Sequence, residues 1–106
     1  MIINKIQKNE KIIIAIDGRL DTTTSPQLQD VLIPLLEDET QVEIDFTQLV
    51  YVSSAGLRVL LMGQKVAKAN GASMTVTGIS EEIMEVFDMT GFSDMLTIVR
   101  NKLEVI

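Results

Sequence analysis

Two adjacent serines, Ser53 and Ser54, stand where the hydrophobic period of the chain changes from strand-like to helix-like. The surrounding stretch, residues 42–62, reads VEIDFTQLVYVSSAGLRVLLM. It describes a buried strand, a short loop, the two serines and then a helix. A helix N-terminus gathers unpaired backbone N–H groups and the positive end of the helix dipole. A hydroxyl placed there can cap the helix. It can also carry a phosphate that the same N–H groups stabilise. Taken alone, serine before a helix is most often a cap. The chain has no histidine and no cysteine. That removes Ser-His triads, histidine and cysteine metal sites and thiol redox chemistry. A hydrolase or transferase built on Ser54 would have no clear base beside its nucleophile.

Other polar residues read first as structure. Asp21, followed by Thr22, Thr23 and Thr24, is the composition of a turn and its capping bonds. Asp45 closes a strand, where an isolated acid or a metal ligand is rarer than a polar stop. Arg58, Lys65 and Lys68 share one broad face of the helix after the serines, with Leu61 among them. The simplest account is a solvated face with one exposed leucine. On a chain of net charge −6, a basic face could instead meet an acidic partner. The six methionines are expected to fill the core.

The elements that position these residues follow from pattern. At 106 residues and 46% hydrophobic content, the chain is one domain spanning 1–106, with a core that needs no staple. Residues 2–7 and 11–17 read as an antiparallel hairpin, turned by Lys8, Asn9, Glu10 and Lys11. The run KIIIAI suits a strand buried on both faces. Ser25 before Pro26 predicts a helix cap, with Leu28, Val31, Leu32, Leu35 and Leu36 at helical spacing. Pro34 should kink that helix or end its regular bonding. A third strand covers 42–46, and a second helix runs from about 55 to 69 and stops at Asn70-Gly71. A fourth strand covers 73–78. Ser80 then caps a third helix that buries Ile83, Val86 and Phe87 and ends at Gly91. A fifth strand is expected at 96–99, and the tail 100–106 reads as a frayed turn or short edge segment. Such alternation builds an α/β domain with a mostly parallel five-stranded sheet, an N-terminal antiparallel hairpin and crossover helices. Partners then meet the loops at the carboxyl ends of the strands, 18–25 and 47–54. No run approaches the ~20 apolar residues of a membrane helix. No signal-peptide layout opens the chain. The acidic charge argues against nucleic acid. A cytoplasmic protein is expected, with neither cofactor nor metal.

The string VSSAGLRVLL, after a strand ending VEIDFTQL, resembles the bacterial anti-sigma factor antagonists, which carry the STAS fold. Their motif is typically Asp-Ser-Ser/Thr-Gly-Leu. Matched without gaps, the aspartate falls on Ser53, the phosphorylatable serine on Ser54, the second hydroxyl residue on Ala55 and the glycine on Gly56. GRLDTTTSPQL resembles the family's Gly-x-Leu-Asp segment, and EVFDMTGFSDML its third helix and following turn. The resemblance implies a non-enzymatic partner switch. The unmodified antagonist binds an anti-sigma factor with serine kinase activity and so frees a sigma factor. Phosphorylation of Ser54 ends the binding, and a PP2C-type phosphatase restores it. On this reading the docking surface comprises Asp21, Thr22, Thr23, Ser53, Ser54, Gly56, Arg58 and Leu61. Two departures stand out: Ser53 replaces the motif aspartate, and Ala55 the second hydroxyl. Ser53 thereby becomes a second possible phosphoacceptor, ranked below Ser54.

Two alternatives stay open from sequence. The same fold and switch could address another target: a cyclase, a phosphatase or a stress-signalling scaffold. A receiver-like phosphoacceptor domain would use Asp45, although the opening hairpin does not fit that architecture.

Overall fold

The computed structural model describes residues 1–38 and 40–99. The tail 100–106, expected above to hold a frayed turn or edge segment, lies outside the described residues. Strand β1 (Ile2–Lys8) pairs antiparallel with β2 (Lys11–Leu20), from Ile2 opposite Asp17 to Lys8 opposite Lys11. Asn9 in the two-residue connection adopts φ 57°, a conformation that asparagine tolerates. Helix α1 (Ser25–Glu37) leads to β3 (Gln41–Asp45), which lies parallel to β2. Then come β4 (Leu49–Val52), helix α2 (Ser54–Asn70), β5 (Ser73–Thr77) parallel to β3, and helix α3 (Glu81–Thr90). A 3-10 turn at Phe92–Asp94 follows. The sheet order is β1-β2-β3-β5, with β4 on the C-terminal end of β2. This is the mixed five-stranded α/β sheet with an opening hairpin that the pattern predicts.

One face of the sheet carries the core. Ile14 and Ile16 on β2, Val42 and Ile44 on β3, and Met74 and Val76 on β5 are all buried. They alternate with half-exposed neighbours, as the period of a strand requires. Leu28, Leu32 and Leu36 of α1 and Leu57, Leu60 and Ala67 of α2 complete this layer. Phe87 of α3 closes it edge-to-face on Phe46, with ring centroids 6.4 Å apart. The opposite face is only partly covered, so β2 is not buried on both sides as its apolar run suggested. There Lys11 pairs with Glu43 at 2.7 Å, and Thr77 donates to the same carboxylate at 3.0 Å.

Several elements differ from expectation. Residues 49–52 form β4, not loop, pairing parallel with Gly18–Leu20 beyond a register shift in β2. The expected fifth strand at 96–99 is reduced to one parallel bridge between Val76 and Ile98. Its bonds are Val76 N–H to Thr97 C=O and Val99 N–H to Val76 C=O. Val86 is 37% exposed rather than buried, and α3 buries only Ile83 and Phe87. Pro34 does not end α1, which continues to Glu37. Asp30 and Pro34 lie on the exposed face, where water can take the carbonyl that proline leaves unpaired.

The seating of α2 matters most. Gly56 is buried, and a Cβ added there would lie 2.7 Å from Leu20 Cγ and 3.0 Å from the Leu20 carbonyl oxygen. Leu20 is fully buried, and its carbonyl oxygen is backbone, which a change of rotamer does not move. Gly56→Ala is therefore expected to lower the urea unfolding midpoint. The overpacking cost, roughly 2–3 kcal/mol, exceeds the ~1 kcal/mol gained in helix propensity. An unchanged or raised midpoint would contradict this close approach.

Candidate functional site

Only one of the two serines caps the helix. Ser53 is the N-cap of α2, with φ −97° and ψ 173°. Its hydroxyl accepts from Gly56 N–H at 3.4 Å, a long bond, and its carbonyl accepts from Leu57 N–H at 3.0 Å. Its own N–H donates to the Leu20 carbonyl at 2.9 Å. Ser53 is half-buried, whereas Ser54, the first helical residue, is exposed. Among the described residues, the Ser54 hydroxyl has no hydrogen-bond partner.

The Ser53–Leu20 bond places the serine turn beside the Asp21 loop. Asp21 Oδ1 accepts from Thr23 N–H at 3.0 Å, Thr24 N–H at 3.1 Å and Thr24 Oγ1 at 3.2 Å. The Thr24 hydroxyl accepts from Asp21 N–H at 2.8 Å, and its single proton is shared between the Arg19 carbonyl at 2.9 Å and Asp21 Oδ1. Ser25 is buried, and its hydroxyl donates to the Asp21 carbonyl. Ser25 is therefore not the cap of α1. Thr24 takes the cap position without a side-chain bond, and the Asp21 carboxylate satisfies the N–H groups just upstream. The Thr24 backbone N–H, more than the Thr24 hydroxyl, Thr23 N–H or Arg19, holds the Asp21 carboxyl below its ordinary value of 3.8, against an opposing desolvation effect. Thr22 and Thr23 are exposed on the loop.

The exposed stripe of α2 begins at Ser54 and continues through Arg58, Met62 and Lys65. Leu61 is half-buried; the exposed apolar residue on this stripe is Met62, at 39%. Gly56 is buried and positions the surface from beneath. Sequence reasoning also missed a neighbouring rim. Arg19 stands opposite Tyr51 in the β2–β4 pairing, and its guanidinium carbon lies 4.2 Å from the Tyr51 ring centroid. Arg19 Nε is 3.7 Å from Asp21 Oδ2. Val50, at 71% exposure, is next to this pair. The signal was available in the β-branched and aromatic string LVYV, read above as loop. Asp45 turns out to be a turn former. Its Oδ1 accepts from both the backbone N–H and the hydroxyl of Thr47. No helix among the described residues is long and apolar enough to cross a membrane.

Comparison with known proteins gives this geometry its context. The chain matches the family model "Mlab, STAS domain" over residues 3–99. The anti-sigma-B factor antagonist of Bacillus subtilis (strain 168) is 32% identical over 94 residues, covering 88% of this chain and 86% of that protein. The anti-sigma factor antagonist SpoIIAA has the same fold in its unphosphorylated form. The TM-score is 0.74 at 16% identity, covering 97% of this chain and 92% of SpoIIAA. The phosphorylated form of SpoIIAA from Bacillus matches with a TM-score of 0.73 at 16% identity, over 97% and 94% of the two chains. The chain belongs to the STAS domain family.

Two measurements check the local chemistry. Because the folded Asp21 value is lowered, the ionised loop stabilises the fold above pH 3.8, and that contribution is lost as pH falls through the folded value. The amide shifts of Thr23 and Thr24 should titrate with a midpoint below 3.8. A midpoint at or above it would contradict the bonding described. Secondly, Ser53→Ala should destabilise by ~0.5–1 kcal/mol, at the low end for caps because its bond is long. Ser54→Ala should stay within about ±0.5 kcal/mol, as for exposed sites. Urea melts showing the reverse order would reassign the cap.

Proposed function

We propose that this chain is an anti-sigma factor antagonist that works by partner switching. In its unmodified form it binds an anti-sigma factor with serine kinase activity, and the sigma factor is released. The kinase then phosphorylates Ser54 and the complex dissociates. A PP2C-type phosphatase returns the antagonist to its binding form. The chain is a substrate and a binding module in a bacterial cytoplasm, with no catalytic role of its own. Its partners are proteins; neither nucleic acid nor membrane takes part. The docking surface runs across Asp21, Thr22 and Thr23, then Ser53 and Ser54, then Arg58 and the exposed stripe of α2, with Leu61 at its edge.

The observation that carries this reading is the division between the serines. Ser53 is occupied with capping, while Ser54 is exposed at the start of the same helix, next to the Asp21 loop. The similarity to proteins named anti-sigma-B factor antagonists supports the target class. A phosphoserine adds roughly −1.5 to −2 charges. At a helix N-terminus that charge is favourable, so the fold has no reason to change. Its cost falls on the complex, where new charge and bulk enter a fitted surface. SpoIIAA shares this fold in both its unphosphorylated and its phosphorylated form, in keeping with such a mechanism.

Incubation with its cognate kinase and ATP should add one phosphate, mapped to Ser54 by mass spectrometry. Ser54→Asp should weaken partner binding by roughly tenfold or more, equivalent to about 1.4 kcal/mol or more, since misplaced charge in an interface is costly and the carboxylate carries less charge than phosphate. Ser54→Ala should weaken it far less. A phosphate found only on Ser53 or on the 22–24 threonines, or equal affinity of the two variants, would overturn the assignment.

A further inference from the structure

Helix α2 is electrostatically one-sided. Its 17 residues, SAGLRVLLMGQKVAKAN, include Arg58, Lys65 and Lys68 and no carboxylate. The first turn holds no acid. Arg58 has Ser54 and Ala55 one turn before it and Leu61 and Met62 one turn after, so no neighbour on its own helix face can pair with it. Among the described residues, Arg58 forms no ion pair. Both Arg58 and Ser54 are exposed.

We propose that Arg58 clamps the phosphate once Ser54 is phosphorylated, so that the modification withdraws the guanidinium from the docking face while it adds its own charge. The proposal rests on Ser54 as the modified residue. Residues four apart on a helix lie on one face about 6 Å apart along the axis. An anion N-terminal to its cation at this spacing is the more favourable order. The phosphate offers three acceptor oxygens to a guanidinium whose planar fork suits them. The other nearby cations are worse placed. Arg19 is already held between the Asp21 carboxylate at 3.7 Å and the Tyr51 ring at 4.2 Å. Lys65 lies about 16 Å further along the axis than Ser54.

The clamp makes the switch two changes at once. The unmodified surface presents one free positive charge beside a neutral hydroxyl. The phosphorylated surface presents a compact pair of net negative charge. A partner that uses an acidic group to recognise Arg58 loses that contact and meets repulsion in its place.

The test installs phosphoserine at position 54 of the full chain by biosynthetic incorporation, so that no kinase is needed. Phosphorus NMR then titrates the phosphate in the otherwise unchanged protein and in Arg58→Gln, Arg19→Gln and Lys65→Gln. The Arg58→Gln protein should show the phosphate titrating about 0.3 pH units higher, the shift expected of one helical ion pair. The other two variants should titrate with the unchanged protein. Equal titration in all four proteins overturns the clamp. A shift in Arg19→Gln alone overturns it in favour of the neighbouring rim. Neither result bears on whether Ser54 is the natural acceptor, which the kinase mapping decides separately.

Discussion

The site depends on how closely α2 can approach the end of β2. Gly56 lies against Leu20 at a separation that admits no side chain, and Ser53 N–H bonds the Leu20 carbonyl in the same contact. One glycine therefore fixes three things together. It seats the helix on the core, holds the Ser53 cap at the strand end and brings Ser54 beside the loop that starts at Asp21. The loop is held by its own hydrogen bonds, because Asp21, Thr24 and Ser25 bond one another within five residues. The surface is thus presented by two short segments that have little freedom to rearrange.

On such a frame, the modification proposed at Ser54 would act at the surface. The first turn of α2 supplies a positive dipole end and N–H groups but no acidic side chain, since Ser53 stands where the family motif carries aspartate. That substitution lets Ser53 cap while remaining neutral, and it leaves Ser54 without a negative neighbour on the helix. Charge introduced at Ser54 meets no acidic neighbour in the first turn of its own helix, and the Asp21 carboxylate on the adjoining loop is already engaged by Thr23 and Thr24. On the proposed function that charge would be felt by the partner that docks there, together with the basic stripe that begins at Arg58.

Much of this was legible from residue pattern. The hairpin, three helices and the parallel crossovers follow from periodicity and from the stop signals at Gly71 and Gly91, both observed as left-handed caps. The errors have physical causes. β4 is four residues long with two exposed positions, so it offers no alternation to read, and its pairing with β2 past a register shift is a tertiary event. Residues 96–99 carry strand composition but find only Val76 to pair with. Ser25 looked like a cap because Pro26 follows, yet the turn upstream had already engaged its hydroxyl with the Asp21 carbonyl. The Arg19–Tyr51 stack joins residues 32 positions apart and became visible only when β4 was placed on β2.

The central claim is that phosphate on Ser54 changes the surface and leaves the fold alone. Comparing backbone amide NMR spectra of the free domain with and without that phosphate tests it most directly. Shifts should be confined to residues 52–58 and the vicinity of Asp21. Widespread shifts through β3 and β5 would mean that the phosphate acts by rearranging the domain, and would contradict the account.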